Sequence, residues 1–167
     1  MTQVKLPNGI LDIWNNADVK RTPAEWALRW IWNHPEVSVV LSGMTEMEHA
    51  VENIQIAKAS QPNSLTQKEV ELVEGAKKIF KEKMKVDCTN CRYCMPCPVG
   101  VDIPQNFAIY NNAYLFDDIA RWKMMYSNFL SPTAKASNCV ECGKCEGHCP
   151  QNIPIRQQLK NVKEVFE

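Results

Sequence analysis

At 167 residues, with 19 lysines and arginines against 19 aspartates and glutamates, the chain is formally neutral and has a pI near 6.8. That length allows one compact domain or two small ones, and that balance offers no basic footprint for nucleic acid or an anionic membrane surface. No apolar run approaches the ~20 residues that span a bilayer, and no basic-then-apolar leader is visible, so the expected setting is cytoplasmic, with neither nucleic acid nor membrane as partner.

Three helix starts share one grammar: a threonine positioned to cap free backbone N–H groups and a glutamate three residues on to reach back. They are Thr22/Glu25, Thr45/Glu48 and Thr66/Glu69. The first helix is predicted from Pro23 to about Asn33, with Trp26, Ala27, Trp30 and Ile31 on one face, ending before Pro35. Val37 to Ser42, apolar, valine-rich and closed by Gly43, reads as a short buried strand. A helix, a strand and a helix in that order form a piece of an α/β fold. A lone strand leaves its ladder groups unpaired, so three outcomes stand open: the chain is the tail of a longer protein, Val37–Leu41 pairs with another chain or a second copy, or Val37–Leu41 adopts a non-strand form.

The third helix is predicted to continue to about Met84, with Val70, Val73, Ala76 and Phe80 inward, and to deliver the chain to a cysteine-rich half. Further helices are expected over Pro104 to Tyr114, Phe116 to Leu130 and Pro154 to Phe166, the last with Ile155, Leu159 and Val162 on one stripe. The expected organisation is therefore 1–64, a connecting helix over 65–85, and a helical module over 86–167.

All eight cysteines lie beyond Val86, and in a reducing compartment clustered thiols favour metal over disulfides. Cys139, Cys142, Cys145, Cys149 and Pro150 match the C-x2-C-x2-C-x3-C-P spacing of bacterial ferredoxins. Three thiolates so spaced let one loop wrap three corners of an iron–sulfur cube, while the fourth usually serves the other cluster. Cys88, Cys91, Cys94, Cys97 and Pro98 repeat the plan with one residue fewer before the last cysteine. Ile103-Pro104 follows the first run and Ile153-Pro154 the second, so the two halves read as an internal repeat. Crossed ligation would place one 4Fe-4S cluster on Cys88, Cys91, Cys94 and Cys149, and the other on Cys139, Cys142, Cys145 and Cys97. With a long helical segment between the runs, 86–167 resembles the dicluster α-helical ferredoxins of respiratory and heterodisulfide-reducing enzymes. Two zinc sites, each with four thiolate ligands, are the competing use of the same cysteines. His148, Tyr93, Tyr110, Trp122, Arg92 and Lys144 stand near the runs in sequence, as candidates to border or tune the sites or as ordinary surface and core residues.

The stretch beginning at Thr22, "TPAEWALRWIWNHPEVSVVLSGMTEMEHAVENIQIA", with "ALRW", "SGM" and "EN" in register, resembles the end of an aldo/keto reductase barrel: its seventh helix, eighth strand and eighth helix. Cysteine-rich tails such as "NCRYCMPCPVGVDIP" follow the barrel in a ferredoxin-linked branch of that family. The resemblance implies a mainly α fold, with 1–64 as the end of a (β/α) barrel and 86–167 as a two-cluster domain. It also implies that Ser42, Gly43, Met44, Glu52 and Asn53 would hold the adenosine phosphate of NAD(P) in a complete barrel, with His49 where relatives carry an arginine. The family's catalytic aspartate, tyrosine, lysine and histidine have no counterpart before Thr22, so carbonyl reduction is not expected of this polypeptide. The leading expectation is an electron-transfer module of an aldo/keto reductase-like oxidoreductase that works with a redox partner protein; a free-standing ferredoxin-like carrier and a zinc-binding interaction protein are the alternatives.

Overall fold

Capping at the helix starts decides how much of the expected pattern forms. The computed structural model describes residues 6–167, so the first five residues of the expected 1–64 segment lie outside the described residues. Among the described residues there are seven α-helices and no strand: α1 (Ile10–Asn15), α2 (Pro23–Trp32), α3 (Met47–Ala59), α4 (Gln67–Lys83), α5 (Ile103–Leu115), α6 (Ile119–Phe129) and α7 (Ile155–Phe166), with two 3-10 turns before the second cysteine run and one within it. The described residues divide into two compact units, one over 8–79 and one over 80–167 that also takes in Leu6 and Pro7; the division falls inside α4.

In the first unit Thr66 and Glu69 form the reciprocal cap: Glu69 N–H donates to Thr66 Oγ1 at 3.3 Å and Thr66 N–H to Glu69 Oε2 at 2.8 Å. Burial opposes ionisation of Glu69, but its bonds from Thr66 and Arg21 outweigh that and hold the carboxyl below its usual range. At Thr22 only half the box forms. Its Oγ1 accepts from Glu25 N–H at 3.1 Å, while the Glu25 carboxylate is taken by Arg29 Nε at 2.7 Å instead of reaching back, because a charge-assisted bond outcompetes a neutral amide. The Thr45/Glu48 cap does not form: Glu46 stands at the N-cap of α3 and no side chain closes its first turn, whose exposed donors water can serve.

The expected strand is corrected as well. Val37 to Ser42 is irregular, with Val39 and Leu41 76% and 95% exposed; with no partner strand among the described residues, the ladder that makes extended chain worthwhile is absent. The core of this unit instead gathers on Trp26, which stacks on Trp14 with ring centroids 5.0 Å apart and lies under the Arg21 guanidinium. Ala27, expected on the inward face, is exposed.

The second unit packs α5 against α6 and α7. Ile103, Phe107, Ile109, Tyr110 and Ala113 of α5 meet Tyr126 of α6 and Ile155, Leu159, Val162 and Phe166 of α7, a core in which each large apolar side chain contributes about 1.5–3 kcal/mol. Two polar fasteners fix the cysteine loops to this core. Tyr126 Oη donates to Glu167 at 2.6 Å and accepts from Ala136 N–H at 2.8 Å, three residues before Cys139. Asn111 receives Lys85 N–H and Val86 N–H on Oδ1 at 3.0 and 2.9 Å and donates to Val86 C=O at 2.7 Å, two residues before Cys88.

Asn111→Leu keeps the volume and strips all three bonds from a buried stretch of backbone. Denaturant unfolding is expected to show a loss of about 3 kcal/mol; a loss under about 1 kcal/mol would mean that the Asn111 bonds are not what holds Val86 in place.

Candidate metal centre

The two cysteine loops place left-handed residues at the same two positions. Asn90 and Arg92 take φ of 57° and 64° in the first, Glu141 and Gly143 take 56° and 76° at the same places in the second, so the repeat read in the spacing extends to the turns. Left-handed residues at fixed intervals produce the N–H concavities that surround anionic groups, iron–sulfur sites included.

Each loop walls a cavity. The narrower, about 20 Å³, is lined by Cys88, Cys91 and Cys94 from the first run and by Cys149 from the second, over a floor that includes Ile103, Phe107, Ile153 and Ile155. The wider, about 470 Å³, is lined by Cys139, Cys142 and Cys145, by Cys97 from the first run, and by Lys144, His148, Arg156 and Leu159. Cys94 and Ile103 face both. Among the described residues no three His, Cys, Asp or Glu side chains gather on one ion-sized point; the thiols are spread along the walls, and a cube binds its four thiolates at separate irons. The fit rests on the donors: four thiols in the narrower cavity, and in the wider one four besides the shared Cys94, each with apolar neighbours, the donor set that iron–sulfur clusters use.

The thiols meet a cost that ligation relieves. Burial pushes Cys88 and Cys94 up, and the neighbouring Cys91 and Cys149 add to it. Burial, then the Glu146 carboxylate, takes Cys145 up to about 11. Protonated at neutral pH, these groups give up their protons when metal arrives, which couples loading to folding of the loops.

The remaining candidates are distributed unevenly. Tyr93, 67% exposed, and His148 stand at the wider cavity. Tyr110 belongs to the helical core and Trp122 stacks on Phe116, so both are packing residues. Arg156 and Glu146 were not legible as site residues, because their pairing joins α7 to a 3-10 turn and carries no spacing signature. In the first unit Asn53 Nδ2 donates to Ser42 Oγ at 3.1 Å, and Thr22 Oγ1 donates to Glu52 at 2.7 Å. Gly43 has no atom within 4 Å of where a Cβ would stand, and Met44 is 43% exposed. This is an open loop, not a closed phosphate cradle.

Paired thiol-lined cavities on a helical scaffold offer the donor set of iron–sulfur sites. Residues 87–153 match the 4Fe-4S dicluster domain, and residues 4–78 match the aldo/keto reductase family; the chain joins an aldo/keto reductase region to a 4Fe-4S dicluster domain. No curated protein and no solved structure matches it. Among the described residues no helix is long and apolar enough to cross a membrane.

Because the cysteine loops hold few backbone bonds of their own, metal removal is expected to act on them first. In hydrogen exchange, chelation should release the amides of 87–100 and 139–153 while those of α5 stay protected longest. Unchanged loop protection after complete metal removal would count against coupling of loading to loop order.

Proposed function

We propose that this chain is the electron-transfer module of an aldo/keto reductase-like oxidoreductase and holds two 4Fe-4S clusters by crossed ligation, one on Cys88, Cys91, Cys94 and Cys149, the other on Cys139, Cys142, Cys145 and Cys97. The observation that supports this reading is the sorting of the thiols: each cavity has three cysteines of one run and the last cysteine of the other on its walls, with Cys94 shared between the two. A bound 4Fe-4S cluster exchanges one electron at a potential that protein charge, hydrogen bonds and exposure set between roughly −700 and +450 mV. The protein's part is to hold four thiolates per site, keep the floor dry with Ile103, Phe107 and Ile155, and bring the two sites to a common wall at Cys94 and Ile103.

The first unit is the end of a (β/α) barrel in this proposal, and its partner surface is the run of exposed apolar side chains Val39, Leu41, Met44, Met47, Val51 and Ile54. Patches of that kind mark interaction sites. The remainder of a barrel, whichever chain supplies it, would cover this face and give Val37–Leu41 the strand neighbours it lacks; self-association through the same segment is the alternative occupant. NAD(P) binding by Ser42, Gly43, Met44, Glu52 and Asn53 belongs only to that completed barrel.

Purified anaerobically, the protein is expected to carry about eight iron and eight sulfide per chain; stoichiometric zinc without iron would replace this reading with the zinc-binding one. Ligand exchange is tested at Cys97. In electron paramagnetic resonance of the reduced protein, Cys97→Ala should lose the same signal as Cys145→Ala and spare the one lost in Cys94→Ala. The opposite pairing would mean that each run binds its own cluster.

A further inference from the structure

The repeat that makes the two loops alike breaks at one charged position. Counting from the first cysteine of each run, Arg92 in the first loop corresponds to Gly143 in the second, and both residues are left-handed. The second loop has no side chain there, yet the place is not vacant of charge. The guanidinium carbon of Arg156, from α7, lies 3.6 Å from where a Gly143 Cβ would stand. Each loop therefore has an arginine associated with this position, Arg92 as the residue itself in one and Arg156 from a distant helix beside it in the other.

The two arginines are held differently. Arg92 reaches Asp102 Oδ2 at 3.4 Å, the edge of bonding distance, with the arginine side chain 52% exposed. Arg156 makes Nε and Nη2 contacts to Glu146 Oε2 at 3.0 and 2.8 Å, while Glu146 Oε1 takes the backbone N–H of Arg156 at 2.9 Å. Glu146 directly follows Cys145, so this clamp joins the loop of the wider cavity to the first turn of α7 and satisfies one of its free donors. Arg156 lines that cavity; Arg92 lines the other.

We propose that the Arg156–Glu146 pair is a positioning element for the cluster held by Cys139, Cys142, Cys145 and Cys97, and that its two charges hold that cluster's reduction potential between the opposite shifts that either charge alone would cause. The inference rests on the two-cluster reading above. A cation near a cluster favours its more negative, reduced form, and an anion disfavours it. In the pair the charges offset each other, so removing either partner exposes the other, and the two removals act in opposite directions.

The test is a potentiometric titration of the anaerobic full-length protein followed by electron paramagnetic resonance, with the two signals assigned through Cys145→Ala and Cys94→Ala. Arg156→Gln is expected to lower the potential of the signal lost in Cys145→Ala, Glu146→Gln to raise it, and the double variant to return it toward the wild-type value, the other couple changing less in every case. Arg92→Gln should move the other couple instead. Arg156→Lys keeps the charge without the fork and should leave the couple nearer to wild type than either neutral variant; if Arg156→Gln fails to load, a Lys variant that loads with a couple lowered as far as Glu146→Gln raises it overturns the proposal. So do shifts of the same sign in Arg156→Gln and Glu146→Gln, equal shifts in both couples, or no shift in loaded variants. Wild-type protein without iron and sulfide would overturn the cluster reading itself, and is recognised before any variant is made.

Discussion

The exchange of one cysteine between two loops is the constraint on which the second unit depends. Cys149 has to reach the wall built by Cys88, Cys91 and Cys94, and Cys97 the wall built by Cys139, Cys142 and Cys145. The 41 residues between Cys97 and Cys139 must therefore leave the first loop and return beside it, which a helical hairpin achieves. Helices α5 and α6 pack together and the turn between them is tied by Lys83 to Asp117. The apolar core is then placed by the loops' needs: Ile103 and Phe107 of α5 and Ile155 and Leu159 of α7 each have one side in the core and another under a thiol. Loop and core are one structure, and neither has enough bonds or buried surface to dispense with the other.

The first unit answers a different constraint, that of apolar surface without cover. Its buried side chains gather round Trp26, Ile10 and Ile56, while α3 and the segment before it leave Met47, Val51, Ile54 and Leu41 in water. An amphipathic helix normally buries its apolar stripe, and here the exposed stripe lies within the region that matches the aldo/keto reductase family.

Local grammar and spacing made much of this legible, and long-range pairing made the rest invisible. The reciprocal cap at Thr66 and Glu69 and the stripe Ile155, Leu159 and Val162 depend on residues within a few positions, so α4 and α7 could be read directly. The Val37–Ser42 strand does not form because valine content signals a preference that only a neighbouring strand can satisfy. The Thr45 cap fails for a smaller reason, a helix that starts later on an exposed surface. In the site, the eight cysteines and their two runs are legible as spacing alone. The cavity floor and the Arg156 clamp are not, since both are made by side chains from α5 and α7 that folding brings to the loops.

Position 143 shows how a repeat can be retained in backbone and altered in chemistry. A left-handed residue is required there in both loops, and Arg92 meets the requirement at some conformational cost while Gly143 meets it freely. A guanidinium from α7 lies in van der Waals contact with where a side chain at 143 would begin, so the charge arrives attached to a helix and not to the loop. The consequence is mechanical as well as electrostatic. On the first side Asp102 both caps α5, accepting Gln105 N–H at 3.2 Å, and holds Arg92 at the limit of its reach. On the second side Glu146 closes the first turn of α7 and grips Arg156 in the same contact, so any motion of that loop is felt directly by the helix that carries Leu159 and Val162 into the core. The two thiol-lined cavities thereby differ in how their charge is held: on one side an arginine at the edge of bonding distance from Asp102, on the other an arginine clamped by the carboxylate that follows Cys145.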